Sequence, residues 1–162
     1  MPELVGRHKR LSFAKVEETY HRMTKFTSLS DSKSAIEYSR QYVDMATEST
    51  DVVGYAASIG YSYDRHTDTP VHEFMSKVAD DEMMGEDAHI DIVTVDLFKP
   101  VADNENECEA RLRTYAIIPD GSGDGTDALI YTGNLKAVSV IEKGVATTTD
   151  GWKTITFQSS AE

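Results

Sequence analysis

Hydrophobic positions change their period several times along the 162-residue chain, most sharply between Thr50 and Gly85. From Tyr55 to Tyr63 the odd positions are Tyr55, Ala57, Ile59, Tyr61 and Tyr63, and the even ones are Ala56, Ser58, Gly60 and Ser62. Large alternating with small is the period of a strand that packs one face and leaves the other nearly bare. After a polar turn over residues 64–68 the period lengthens, and Val71, Phe74, Met75, Val78 and Ala79 fall on one helical stripe. Thr69 stands where an N-cap hydroxyl is favoured, Pro70 where a missing N–H costs nothing, and Gly85 where a left-handed C-cap is wanted. The pattern predicts a helix over about 70–84, its stripe laid on a sheet and His72 facing solvent.

Elsewhere strand periods dominate. Residues 11–16 and 20–27 read as a first hairpin. Residues 88–98 are apolar at Ile90 and Ile92 and then shift phase to Val93, Val95 and Leu97, the mark of a bulge or of a strand covered on both faces. Residues 108–118 alternate, with Ala110, Leu112 and Ala116 on one side and Glu109, Arg111 and Arg113 on the other. Residues 127–142 read as one bent strand or two, and residues 152–157 close the set. Residues 100–106 and the glycine-rich 119–125 are loop chemistry. With one helix and about seven strands, and with no repeat or low-complexity stretch, the expected fold is mainly β. It is a single domain over residues 1–162, two packed antiparallel sheets forming a sandwich or barrel, with one flanking α-helix.

Residues 31–50 are explained by neither core nor catalysis. Some twenty residues between two strands far exceed the usual hairpin loop of about two to five residues, which marks the segment as functional or disordered. Ile36, Tyr38, Tyr42, Val43 and Met45 make it too apolar to stay solvated, and Arg40 between two tyrosines has the composition of an interface anchor. It reads as an arm that buries its rings against another copy.

Charge sharpens this picture. Residues 1–35 hold seven Lys/Arg against four Asp/Glu, a net of +3, so the remainder carries −15 of the total −12. A body that acidic disfavours DNA or anionic lipid as an attractive partner. A basic N-terminal segment bearing Arg7, Lys9 and Arg10 complements an acidic body between copies of the same chain. No apolar run approaches a membrane span and no signal-peptide core is evident at the start, so a cytoplasmic site of synthesis is expected. The lone Cys108, read as buried filler, forms no disulfide framework or cysteine zinc site.

Each catalytic or metal motif fails on a particular residue. His72-Glu73 begins like a zinc-protease helix, but the second imidazole would fall at Ser76. Asp120, Ser122 and Asp124 alternate like calcium ligands, but position twelve of such a loop is Tyr131. The acid clusters Asp80-Asp81-Glu82 and Glu86-Asp87 are the only foothold for a metal-assisted hydrolase, and such runs usually form a solvated face. No catalytic residue, cofactor or metal is therefore assigned, and a non-enzymatic β-sandwich binding module stays open as an alternative.

Three pieces in order then carry a resemblance: residues 37–44 (EYSRQYVD), residues 49–55 (STDVVGY) with the strand, Pro70 helix and Asp87-Ala88 that follow, and residues 144–152 (GVATTTDGW). The chain resembles the major tail tube proteins of tailed bacteriophages and of phage-derived particles of Gram-positive hosts. The resemblance implies that six copies form a ring, that inner strands of neighbours join into one barrel, and that rings stack into a tube through which DNA leaves without specific binding. It implies tail proteins as further partners: a tape measure, a tail terminator, a baseplate or tip and, in contractile tails, a sheath. It places the protein in the virion after assembly in the host cytoplasm, or in a DNA-free bacteriocin particle. No membrane partner is implied. The long arm, with Ile36, Tyr38, Arg40 and Tyr42, would reach a neighbouring ring.

Overall fold

The computed structural model describes residues 2–123 and 126–159. Its strands are β1 (Arg10–Val16), β2 (Thr19–Arg22), β3 (Phe26–Arg40), β4 (Ser49–Asp64), β5 (His89–Val101), β6 (Asn104–Ser122), β7 (Ile130–Ala137), β8 (Glu142–Thr147) and β9 (Thr154–Ser159), and helix α1 spans Pro70–Asp80. All pairings are antiparallel, in the order β3-β4-β7-β6-β5-β1-β2-β9-β8. A further pairing of β6 with β8 closes six of these strands, β1, β5, β6, β8, β9 and β2, into a barrel. The mainly β class with one flanking helix is thus observed, in its barrel form.

Two cores explain the hydrophobic pattern. Leu11, Phe13, Val93, Val95, Cys108, Ala110, Ala146 and Ile155 fill the barrel. A second cluster joins β4, β7 and the far halves of β5 and β6 to the helix through Ile59, Tyr61, Tyr63, Val71, Met75, Ile90, Ile92, Tyr115 and Leu135. The phase shift in β5 therefore involves no bulge between Ile92 and Val93: successive side chains serve different cores on opposite faces, and its register with β1 is unbroken there. In β6 the same change of side carries burial from Ala110 to Tyr115 and Ile117, where the alternation predicted Ala116.

Several boundaries move for local reasons. Residues 20–27 are not one strand: Lys25 adopts φ 62°, and Phe26 already opens β3. The breaks at 100–106 and 119–125 are smaller than loop composition implies. Ala102 and Asp103 (φ 52° and 59°) form a two-residue hairpin turn, as Glu17 and Glu18 do (φ 50° and 70°), and β6 runs on to Ser122 past an irregularity at Pro119. Residues 124 and 125, the first of them one of the three calcium-like positions, lie outside the described residues. Residues 127–142 resolve into β7 and the start of β8.

The helix stops four residues short of the expected 84. Glu82, not Gly85, takes the left-handed conformation (φ 51°), and the amides of Glu82 and Met83 donate to the carbonyls of Ala79 and Val78 (3.4 and 3.1 Å). That is a Schellman closure, with Met83 packed on the core as its hydrophobic partner. Gly85 (φ 64°) instead begins a short 3-10 turn. Thr69 holds the N-cap position, but its hydroxyl donates to the Thr67 carbonyl rather than capping an amide.

His72 corrects the expectation of a solvent-facing side chain, being fully buried. Its ring stacks on Tyr63 at 4.5 Å, its Nε2 faces the Thr24 carbonyl at 2.8 Å, and its Nδ1 accepts the amide N–H of His66 at 3.1 Å. The helix thus buries Val71, Met75 and Val78 with His72 and Ser76 beside them, and Phe74 is only half-buried at the stripe's edge. Nearby, Tyr61 lies over Gly133, its cross-strand partner. A β-carbon there would meet the Ile118 carbonyl at 2.6 Å and the Tyr61 hydroxyl at 2.7 Å, so only glycine permits the approach.

Candidate functional site

Residues 31–40 are strand rather than free connection. β3 pairs with β4 from Phe26↔Tyr63 to Arg40↔Ser49, with register shifts after Phe26 and after Ile36, and the arm is a hairpin whose outer half touches no third strand, because β7 stops at Ser58↔Lys136. The packing face of β4 accordingly ends at Ala57, and Tyr55, expected to pack, is 59% exposed. The edge of β3 away from β4 has no partner among the described residues. An exposed edge of this length is an open template for another strand.

Register arranges the arm's side chains. Ile36, Tyr38 and Arg40 share one face of β3, and Arg40 Nε donates to the Tyr38 hydroxyl at 2.6 Å while the guanidinium lies over its ring at 5.4 Å. On the other face Ser39 and Thr50 hydroxyls bond across the pair at 2.9 Å. A register shift after Ile36 leaves Val53 as the extra residue of a bulge, which twists the distal part of the arm. At the tip, the amide of Met45 donates to the Tyr42 carbonyl and Gln41 Nε2 to the Met45 carbonyl, at 3.0 and 3.2 Å. Tyr38, Ile36 and Tyr42 are 46%, 51% and 54% exposed, and Val43 is fully exposed. Val52 and Val53, which sequence reading passed over, add to this apolar surface; two adjacent valines at a strand start, in both phases, were the available signal.

The other predicted contact residues lie at the foot of the arm. Arg7 and Lys9 bound a 3-10 turn, and Arg7 donates to the carbonyls of Arg10 (2.8 Å) and Leu29 (3.2 Å), tying the N-terminal segment to β3. Arg10 Nε meets Asp96 Oδ1 at 2.7 Å. Asp96, buried and unremarked in the sequence, also receives Arg111 at 3.2 Å, and two cations offset the cost of burying its charge. Lys9 is exposed; its amide donates to the Gly6 carbonyl at 3.0 Å, and its side chain forms no hydrogen bond or salt bridge among the described residues. The structure therefore does not bring the two predicted groups together within one chain: Arg40 lies eleven residues beyond Leu29 along β3, roughly 35 Å for an extended strand.

Titratable groups elsewhere serve the cores. Burial raises the Tyr61 phenol above its usual range and pushes Tyr63 up to about 12, with the Ser76 hydroxyl (2.9 Å) as partner of Tyr63. Tyr131, at the twelfth position of the calcium-like spacing, donates to Asp80 at 3.0 Å instead of facing a loop. Burial raises the Cys108 thiol inside the barrel. Asp150 is held at about 2 because the Thr154 hydroxyl and amide and further local donors all point at its carboxylate, which fixes the turn between β8 and β9. Among the described residues no three His, Cys, Asp or Glu side chains form a metal-binding group, and no helix is long and apolar enough to cross a membrane.

No protein-family model matches the sequence, and no curated protein does either. A solved structure shares the fold: a chain of the six-fold-symmetrised cryo-EM structure of the anti-feeding prophage (AFP) baseplate superposes with a TM-score of 0.54 at 12% identity. The match covers 88% of this chain and 97% of that one.

Proposed function

We propose that the protein is a structural subunit of a phage tail or phage-tail-like particle and acts by assembling with its own copies into hexameric rings that stack as a tube. The observation that carries this reading is the arm, a long hairpin with an unpartnered strand edge and exposed Ile36, Tyr38, Tyr42 and Val43. A lone soluble domain gains nothing from such a feature, whereas an assembly buries it. Barrel size supports the same conclusion. A closed barrel of six strands is filled by its own side chains, since even about eight leave room for little else, so any conduit must form between copies. In this reading the protein resides in the virion tail, assembled in the host cytoplasm with other tail proteins, and the net negative charge of −12 per chain lets DNA pass without holding it.

A baseplate-proximal ring is the second placement, favoured by the particle in which the similar fold occurs. Sedimentation of the concentrated protein tests self-assembly. Species much larger than the 18.0 kDa subunit are expected, and a monomer at all concentrations would count against the proposal.

A further inference from the structure

We propose that the arm tip of one copy seats in a cationic groove at the foot of another copy's arm, a head-to-tail contact that rests on the self-assembly reading. The groove lies between the N-terminal segment and the corner joining β2 to β3. Arg7, Arg10, Arg22 and Lys25 line it with the half-buried Phe26 and Leu29, and no lining residue is acidic. Arg10 is engaged by Asp96 and Arg7 by backbone carbonyls, whereas Arg22 and Lys25 form no salt bridge among the described residues. A cation-lined hollow on a chain of net charge −12 matches an anionic, partly apolar ligand.

The arm tip has that chemistry. Residues 36–53 carry Glu37, Asp44, Glu48 and Asp51 against Arg40 alone, a net of −3, and Tyr42 and Val43 stand exposed beside Asp44. A chain's own tip does not reach its own groove. Antiparallel pairing with β4 along the whole length of β3, bulges included, holds the tip roughly 35 Å from the foot, so the occupant is a second copy. Because tip and groove are different surfaces, the contact is heterologous and propagates into a closed ring or an open file of copies.

A charge-swap experiment tests this. Asp44→Lys with Glu48→Lys, and separately Arg22→Glu with Lys25→Glu, should each raise the concentration needed for assembly by at least about tenfold. An equimolar mixture of the two variants should assemble again, because each then offers the other a complementary partner. The milder Arg22→Gln with Lys25→Gln guards against misfolding, and all four side chains are exposed, so unassembled variants should melt as the parent does. Parent and both variants assembling alike, or a mixture that stays dispersed, would overturn the tip-in-groove contact alone. A parent that never assembles would overturn the self-assembly reading and this contact with it. Duplex DNA retained by the parent and released by Arg22→Glu with Lys25→Glu would assign the groove to nucleic acid instead.

Discussion

His72 shows how one side chain couples the fold to pH. Its Nδ1 accepts the His66 amide while Nε2 faces the Thr24 carbonyl, an arrangement that suits the neutral imidazole with its proton on Nε2. Burial adds to this and lowers its pKa below the ordinary 6.5, with His66 and Arg65 acting in the same direction and Asp64 and the Thr24 carbonyl against them. The folded state then binds fewer protons than the unfolded one as pH falls below 6.5, so this contribution is complete above that value and is lost on acidification down to the folded pKa. A melting series from pH 7.5 to 5 should show the parent losing stability below about 6.5 and His72→Phe losing less over the same interval. At neutral pH the variant should itself be about 1–3 kcal/mol less stable, since it leaves the part-buried His66 amide and Thr24 carbonyl without their partner. An identical pH slope for the two proteins would mean that His72 does not titrate with folding. Nothing in the sequence marked this residue as buried, because a histidine beside a helical stripe reads as solvent-facing unless the second element covering it is known.

At the scale of elements, local period was the most legible signal. The β4 alternation from Ala57 onward and the Pro70 start of the helix follow from spacing alone, since neighbouring residues determine which face meets a core, whereas the phase change in β5 left a bulge and a two-faced strand equally open until its register with β1 was known. What stayed hidden depends on partners distant in sequence: the β6–β8 closure of the barrel, the Schellman stop at Glu82, and the pairing that turns residues 31–40 into strand. The polar composition of that segment hid a strand whose stability comes from β4 rather than from burial. The exposure of the arm's rings on a single chain, by contrast, was legible, because Tyr38 and Tyr42 have no core to serve. Tyr38→Ala with Tyr42→Ala should therefore change subunit stability by less than about 0.5 kcal/mol while suppressing assembly. Met75→Ala, which empties a fully buried site, should cost about 2–5 kcal/mol, and the edge residue Phe74 should cost less. Unfolding scans separate the two classes, and a large loss of subunit stability in the tyrosine variant would make the arm part of the core.

At the scale of the whole molecule, charge and topology point outward. A net charge of −12 and a barrel filled by its own side chains leave one chain neither a net attraction for phosphate nor a channel. Duplex DNA should accordingly show no retention by the unassembled subunit even at low salt, and salt-sensitive retention would remove the conduit reading. The central claim is that a free-edged arm exists to be buried by other copies. Negative-stain imaging of the concentrated protein tests it most directly: annular particles with six-fold symmetry, stacking into tubes and absent from the Tyr38→Ala, Tyr42→Ala variant, are predicted, whereas a uniform field of monomers at every concentration and salt would contradict it.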